Sequence, residues 1–332
     1  MKGQCFVIVG AMVAFGFAST SVVAQDGTWT PPRTADGHAD LQGVWANNNV
    51  TPLERPEILG TREALTDEEV AALQARAGEL FSSDGGDAAF GDSVFAAALA
   101  EAESFSSRDT ATGNYNQFWI ANRDFSNQTS LIIDPPDGQV PDLVPEARER
   151  FREAAEYGRA HPADSYTDRP LSERCVTYGV PRLGAGYNSY YQVFQSKDYV
   201  VILHEMNHDA RVIPLIGLPH VDDDVRQLHG DSRGHWEGDT LVVETKNFSK
   251  VANFRGSSDG LHMIERLTRE SPEVLRYEVT LTDSSVWTKP WTVSIPLVYS
   301  EEPMFEYACH EGNIGMEGIL AGHRAEEREA GQ

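Results

Sequence analysis

Basic residues and cysteines are both scarce in this chain, and no long apolar run occurs beyond its first two dozen residues. The 332 residues include 27 Lys+Arg against 51 Asp+Glu, for a formal net charge of −24. Such a balance disfavours nucleic acid, long anionic polysaccharide and anionic membrane surfaces as partners. No internal repeat is visible, which excludes solenoid and propeller arrays. Cofactor motifs are missing too: Gly184-Ala185-Gly186 lacks the preceding strand and following helix that a nucleotide fingerprint needs. The serine-hydrolase class is set aside as well.

What the chain does have begins with its leader. Residues 1–24 combine Lys2, an apolar stretch and small residues ending in Val22-Val23-Ala24, the pattern of a secretory signal with cleavage after Ala24. Export to the periplasm or the extracellular medium is therefore expected. The apolar stretch is too short for a retained span, so no stable membrane insertion is expected. Of the three cysteines, Cys5 leaves with the leader, and Cys175 and Cys309 are expected to form one disulfide.

Two regions follow. Residues 25–170 read as an extended and helical wrap. Thr28 to about Pro56 is rich in Pro, Asn and Gly, and Thr66-Asp67-Glu68-Glu69 is a capping box opening a helix over 66–81. A second helix is expected over 93–105, a strand over 128–134, and a solvated helix from Pro145 through Tyr157. Residues 171–332 change character: short β-like runs recur, among them "YYQVFQS", "YVVILHE", "ARVIPL", "DTLVVETKNF", "MIERLTRE", "LRYEVTLTD", "WTVSIPL" and "FEYAC". The clearest places Leu275, Tyr277, Val279 and Leu281 on one face and Arg276, Glu278, Thr280 and Thr282 on the other, so one face meets a core and one meets water. The expected fold is mainly β: an antiparallel meander of about eight strands closing into a lipocalin-like barrel with a C-terminal tail, a two-sheet sandwich being the competing arrangement.

His204-Glu205-Met206-Asn207-His208 spells the H-E-x-x-H of zinc proteases. That chemistry requires a helix, which sets two histidines on one face. The flanks Tyr199–Leu203 and Ala210–Leu215 are β-branched and Pro214 discourages helix, so the motif reads as two strands and a turn. Its residues instead open a polar constellation, with six of the ten histidines between 204 and 262. His204 or His235 is the expected acid or base, with Asp231 or Glu237 orienting it and Arg211 or Arg233 stabilising developing negative charge. Arg211, in an apolar strand, needs a carboxylate, and Asp231 or Glu237 is the expected partner. Tyr187, Tyr190 and Trp236, with His310 and Glu311 beyond Cys309, are the candidates for holding a small-molecule ligand.

The function expected from these residues is cofactor-free acid/base chemistry of the lyase, hydratase, cyclase or isomerase kind. A non-catalytic carrier or sensor of an apolar or aromatic ligand is the alternative. A third reading takes His204, His208, His220, His229 and His235 as ligands of copper or zinc. Oligomeric state is left open.

The stretches "GDSRGHWEGDTLVVETKNF" (230–248), "DGHADLQGVWANNNVTPLERP", "TSLIIDPPDGQVP" and "YACHEGN" resemble those of a broad group of exported, largely uncharacterised bacterial proteins. The resemblance spans most of the chain after the leader. It implies export and a shared architecture, and it brings no catalytic residues with it.

Overall fold

The computed structural model describes residues 29–82, 88–106, 123–251 and 254–331, so the expected signal peptide lies outside the described residues. The wrap region supplies β1 (Gly43–Ala46), helices α1 (Asp67–Leu80) and α2 (Asp92–Leu99), strand β2 (Ile132–Asp134) and helix α3 (Pro145–Ala160). Beyond it come β3 (Tyr190–Gln195), β4 (Tyr199–His204), β5 (Ala210–Pro214), β6 (Asp231–Glu237), β7 (Thr240–Lys246), β8 (His262–Arg269), β9 (Val274–Thr282), β10 (Trp291–Ser300) and helix α4 (Gly315–Ala330).

Local chemistry accounts for most of the element ends. Thr66 Oγ1 accepts the Glu69 N–H at 3.3 Å while Glu69 Oε2 accepts the Thr66 N–H at 2.8 Å, so the expected capping box opens α1. The second helix is shorter than its alanine content suggests, because Glu101 turns to φ 54° and leaves the helical region. Pro145 sits in the first turn of α3, where its missing N–H has no cost. No strand forms at "FEYAC", where Phe305 is exposed.

The ten strands form one antiparallel sheet in the order β5-β4-β3-β1-β10-β9-β8-β7-β6, with β2 added beside β10. Two meanders, β3 to β5 and β6 to β10, are thus joined through β1, whose Trp45 stands opposite Tyr191 of β3 and Tyr299 of β10. The region read as a wrap therefore contributes a central strand of the sheet. Trp45 is fully buried and donates its indole N–H to Leu41 O at 2.9 Å, which fixes the strand it belongs to.

The expected barrel does not close. No ladder joins β5 to β6, although these edges come side by side at Gly234, where a Cβ would lie 2.7 Å from Leu215 Cδ2 and 2.9 Å from Ile213 Cγ2. Side chains, not backbone hydrogen bonds, seal that seam. The concave face is filled by Tyr191, Val193, Ile202, Ile213, Met263, Leu267, Tyr277, Ile295 and their neighbours in one apolar core. A second small core, with Val50, Leu73, Phe81 and Phe95, holds α1 against α2. Gly234→Val is expected to overpack the seam and destabilise by about 1 to 3 kcal/mol, read from the urea midpoint. An unchanged midpoint would show that the seam yields.

Cys175 and Cys309 form the expected disulfide, with Cα atoms 5.6 Å apart across a separation of 134 residues. It ties the chain before β3 to the segment after β10. Among the described residues no helix is long and apolar enough to cross a membrane.

Candidate functional site

The H-E-x-x-H stretch is a hairpin corner. His204 ends β4, Met206–His208 form a short 3-10 turn in which Asn207 and His208 take positive φ, and β5 starts at Ala210. His204 is buried among core side chains, whereas His208 Nδ1 accepts the Tyr307 N–H at 3.2 Å, so the two imidazoles serve different surroundings.

His204 faces the concave side with Val200 and Ile202 of its strand, opposite Tyr191 of β3, and the two rings pack at 4.5 Å between centroids. It is 3% exposed, and neither ring nitrogen has a hydrogen-bond partner among the described residues. Burial, reinforced by the positive charges of Arg211, His229 and Arg182, holds its pKa well below the usual imidazole value. His204 is therefore a neutral imidazole at pH 7. No backbone carbonyl takes its proton, contrary to the ordinary role of a core histidine.

Arg211 does not pair with Asp231 or Glu237. Its guanidinium crosses the interior to β8 and makes a two-pronged pair with Glu265, at 2.7 Å to Oε2 and 2.6 Å to Oε1, and Tyr277 of β9 donates to Glu265 Oε1 at 2.6 Å. Arg211 is 4% exposed and Glu265 fully buried. Burial alone would weaken the cation, but the Glu265 charge and hydrogen bonds outweigh it and raise the Arg211 pKa. Beside this pair, Thr177 Oγ1 donates to Asp209 Oδ2 at 2.6 Å and lies 2.8 Å from His229 Nε2. Burial lowers the His229 pKa, with Asp209 opposing.

The other expected site residues lie elsewhere. Asp231 accepts from Val221 N–H at 3.0 Å, His220 Nδ1 at 2.9 Å and Arg233 at 2.6 Å, a local cluster in which these bonds outweigh burial and keep its carboxyl below its ordinary value. His235 and Glu237 stand in solvent 3.2 Å apart, with Arg266 at 2.7 Å from Glu237. Trp236 stacks on His38 at 4.8 Å. Tyr187 meets Phe90 edge-on at 5.7 Å, and the Tyr190 N–H reaches Glu205 Oε2 at 3.4 Å. His310 and Glu311 are exposed. The constellation is thus spread over the buried interior, the start of β6 and open surface, and among the described residues His204, His208, His220, His229 and His235 do not converge on one point.

The serine-elbow spelling Gly-x-Ser-x-Gly does occur, at Gly230–Gly234 and Gly256–Gly260, but neither stretch is a strand-to-helix turn. Ser232 Oγ pairs with Thr245 Oγ1 at 2.9 Å inside the sheet, and Ser258 Oγ accepts from Ser285 Oγ at 3.1 Å.

A groove of about 400 Å³ lies where the chain leaving β1 meets the loop before β3. Asn47 Nδ2 donates to Leu183 O and Gly184 O, both at 3.2 Å, and so holds that loop against the end of β1. Asn49, Leu53, Tyr178, Arg182, Phe254 and Arg255 form its walls. On two of these wall residues, Asn49 Nδ2 and Arg182 Nε are buried with no acceptor among the described residues. The Arg182 guanidinium lies 5.1 Å over the Tyr178 ring, and its backbone oxygen accepts the Tyr191 hydroxyl, so the groove adjoins the polar interior through this residue. A second groove, of about 620 Å³, is self-satisfied: Asp283 takes the N–H groups of Ser258 at 2.6 Å and Ser285 at 3.1 Å, and Arg150 donates to Ser285 O at 3.0 Å.

No known family, curated protein or solved structure matches this chain. Function has to be argued from the chemistry of the two neighbouring sites.

Sequence reasoning missed Glu265, Tyr277, Asn49 and Arg182 as site residues. Glu265 did leave a signal: it shares the strand face of Met263 and Leu267, where a carboxylate requires a buried partner. Arg182 and Asn49 lie in irregular chain, which has no periodicity to read.

Proposed function

We propose that this is an exported small-molecule-binding protein whose ligand carries an oxyanion and sits in the groove over Arg182. One observation carries the reading: two residues that wall the groove, Asn49 and Arg182, each hold a buried donor, Nδ2 and Nε, that meets no acceptor among the described residues. Leaving a buried donor unmade costs about 1 to 3 kcal/mol, a cost that an acceptor-bearing ligand removes once these side chains turn into the groove. A carboxylate, sulfate or phosphate suits a guanidinium in particular, and Tyr178, Leu53 and Phe254 offer apolar contact to the rest of such a ligand. The curved sheet then acts as a lipocalin-like wall, sealed at the β5–β6 seam by side chains. The leader-like residues 1–24 and the disulfide favour a periplasmic or extracellular setting.

Acid/base catalysis is the second reading, carried by His204: a neutral imidazole with both nitrogens unengaged, packed on Tyr191, whose hydroxyl reaches the loop that forms the groove.

Thermal shift and calorimetry against a panel of aromatic and aliphatic carboxylates, sulfate esters and phosphate esters test the binding role. At least one class is expected to raise Tm, with Arg182→Ala weakening it tenfold or more. If no anion binds, or if Arg182→Ala binds as well as the parent protein, the reading fails. Product formation lost in His204→Leu with ligand binding retained would establish the catalytic version.

A further inference from the structure

Helix α4 needs something to hold it. It buries none of its residues, and an isolated helix of its 16 residues is marginal in water. Among the described residues, the hydrogen bonds that tie it to the body come from Arg324, which donates to the carbonyl oxygens of Asp164 at 3.0 Å and Ala163 at 3.2 Å, just beyond α3. At that contact three ligand-type groups converge. His323 and Glu327, four residues apart, share one helix face. Asp164 comes from the facing loop, and one ligand atom from each of the three lies within 4.8 Å of the others.

The spacings are informative. His323 Nε2 is 3.4 Å from Asp164 Oδ1 and 3.5 Å from Glu327 Oε1, too long for good hydrogen bonds. Ligands bound tetrahedrally at the usual zinc distances of about 2.0–2.1 Å stand about 3.3–3.4 Å apart. The two contacts therefore have the length of a zinc coordination edge. Both carboxylates are also held from behind, as ligands usually are. His161 Nδ1 lies 2.7 Å from Asp164 Oδ2, and Arg324 grips Glu327 at 2.7 Å to Oε2 and 2.8 Å to Oε1. An imidazole with two carboxylates selects a borderline first-row cation over calcium or magnesium.

We propose that Asp164, His323 and Glu327 form a zinc site, its fourth position taken by water, that clamps α4 to the segment following α3. This site is separate from the groove and shares no residue with the histidines between 204 and 235.

The test uses tag-free, full-length protein stripped with chelator and titrated with Zn²⁺ by calorimetry, with metal content checked by mass spectrometry. One equivalent is expected to bind, with affinity falling at least tenfold in His323→Ala and in Glu327→Gln while circular dichroism stays unchanged. His204→Leu and His220→Gln are expected to bind as the parent does. Zinc is also expected to slow tryptic cleavage at Arg324 and Arg328 in the parent and not in His323→Ala. The proposal is overturned if no equivalent binds, if both α4 variants bind normally, or if the 204–235 variants are the ones that lose the metal.

Discussion

Arg211→Met is expected to cost about 3 to 5 kcal/mol at pH 7, because it leaves the Glu265 carboxylate buried without its counter-ion. Glu265→Leu is expected to cost a similar amount, stranding a guanidinium that is 4% exposed. The double variant Arg211→Met with Glu265→Leu tells the two contributions apart. Two charges taken out of water together can be replaced by apolar side chains at little loss, so the double variant is expected to recover most of the stability lost in either single one. What remains should be traceable to Tyr277, whose hydroxyl loses its acceptor, and adding Tyr277→Phe should recover about 1 kcal/mol more. Urea unfolding followed by the fluorescence of the buried Trp45, Trp287 and Trp291 measures the four variants and the parent. Single variants within about 0.5 kcal/mol of the parent, the range of ordinary surface substitutions, would mean that water reaches the pair and that this interior is open.

The pair also marks how far the sequence could be read. Strand β9 was legible because its alternation is strict, and Leu275, Tyr277, Val279 and Leu281 are all buried. Helix α1 was legible because its capping box is a local reciprocal bond, and the false zinc motif because β-branched flanks outvote three letters of spelling. Where contacts leave the neighbourhood, the reading stops. Asp231 looked available to Arg211, but His220, Val221 and Arg233 within a short span of chain already occupy it. The true partner sits on β8, separated from β5 in the sheet by β4, β3, β1, β10 and β9, and only the curvature of the sheet brings it across. The close approach of β5 and β6 at Gly234 goes with that curvature, and no single-strand pattern encodes it. Strand β1 escaped for a different reason: its four residues are too few to show a period, and its place in the sheet comes from two long-range ladders.

His204→Leu is expected to make the protein less sensitive to acid. The native pKa of His204 lies well below 6.5, so above that value both folded and unfolded chains hold a neutral imidazole and the residue adds no pH dependence. Below it the unfolded chain takes up a proton that the native state refuses, and stability falls by about 1.4 kcal/mol per pH unit for as long as the buried ring stays neutral. Between pH 6.5 and 4.5 that amounts to a loss of about 2 to 3 kcal/mol, absent in the variant. Other groups titrate in or near this window: His229, with a lowered pKa, adds to the loss, whereas Glu205, raised by burial, opposes it. Both are retained in His204→Leu, so the difference between the two stability curves reports His204 together with its interaction with His229. Leucine also removes two ring nitrogens that are buried without partners, so the variant should be at least as stable as the parent at pH 7.5. Urea midpoints at half-unit steps from pH 7.5 to 4.5 decide it. Curves that diverge steadily below pH 6.5 place a neutral, unengaged imidazole in the interior, the state an acid/base role requires. Parallel curves would mean that His204 accepts its proton in the native protein, and the catalytic reading built on its neutrality would go with it.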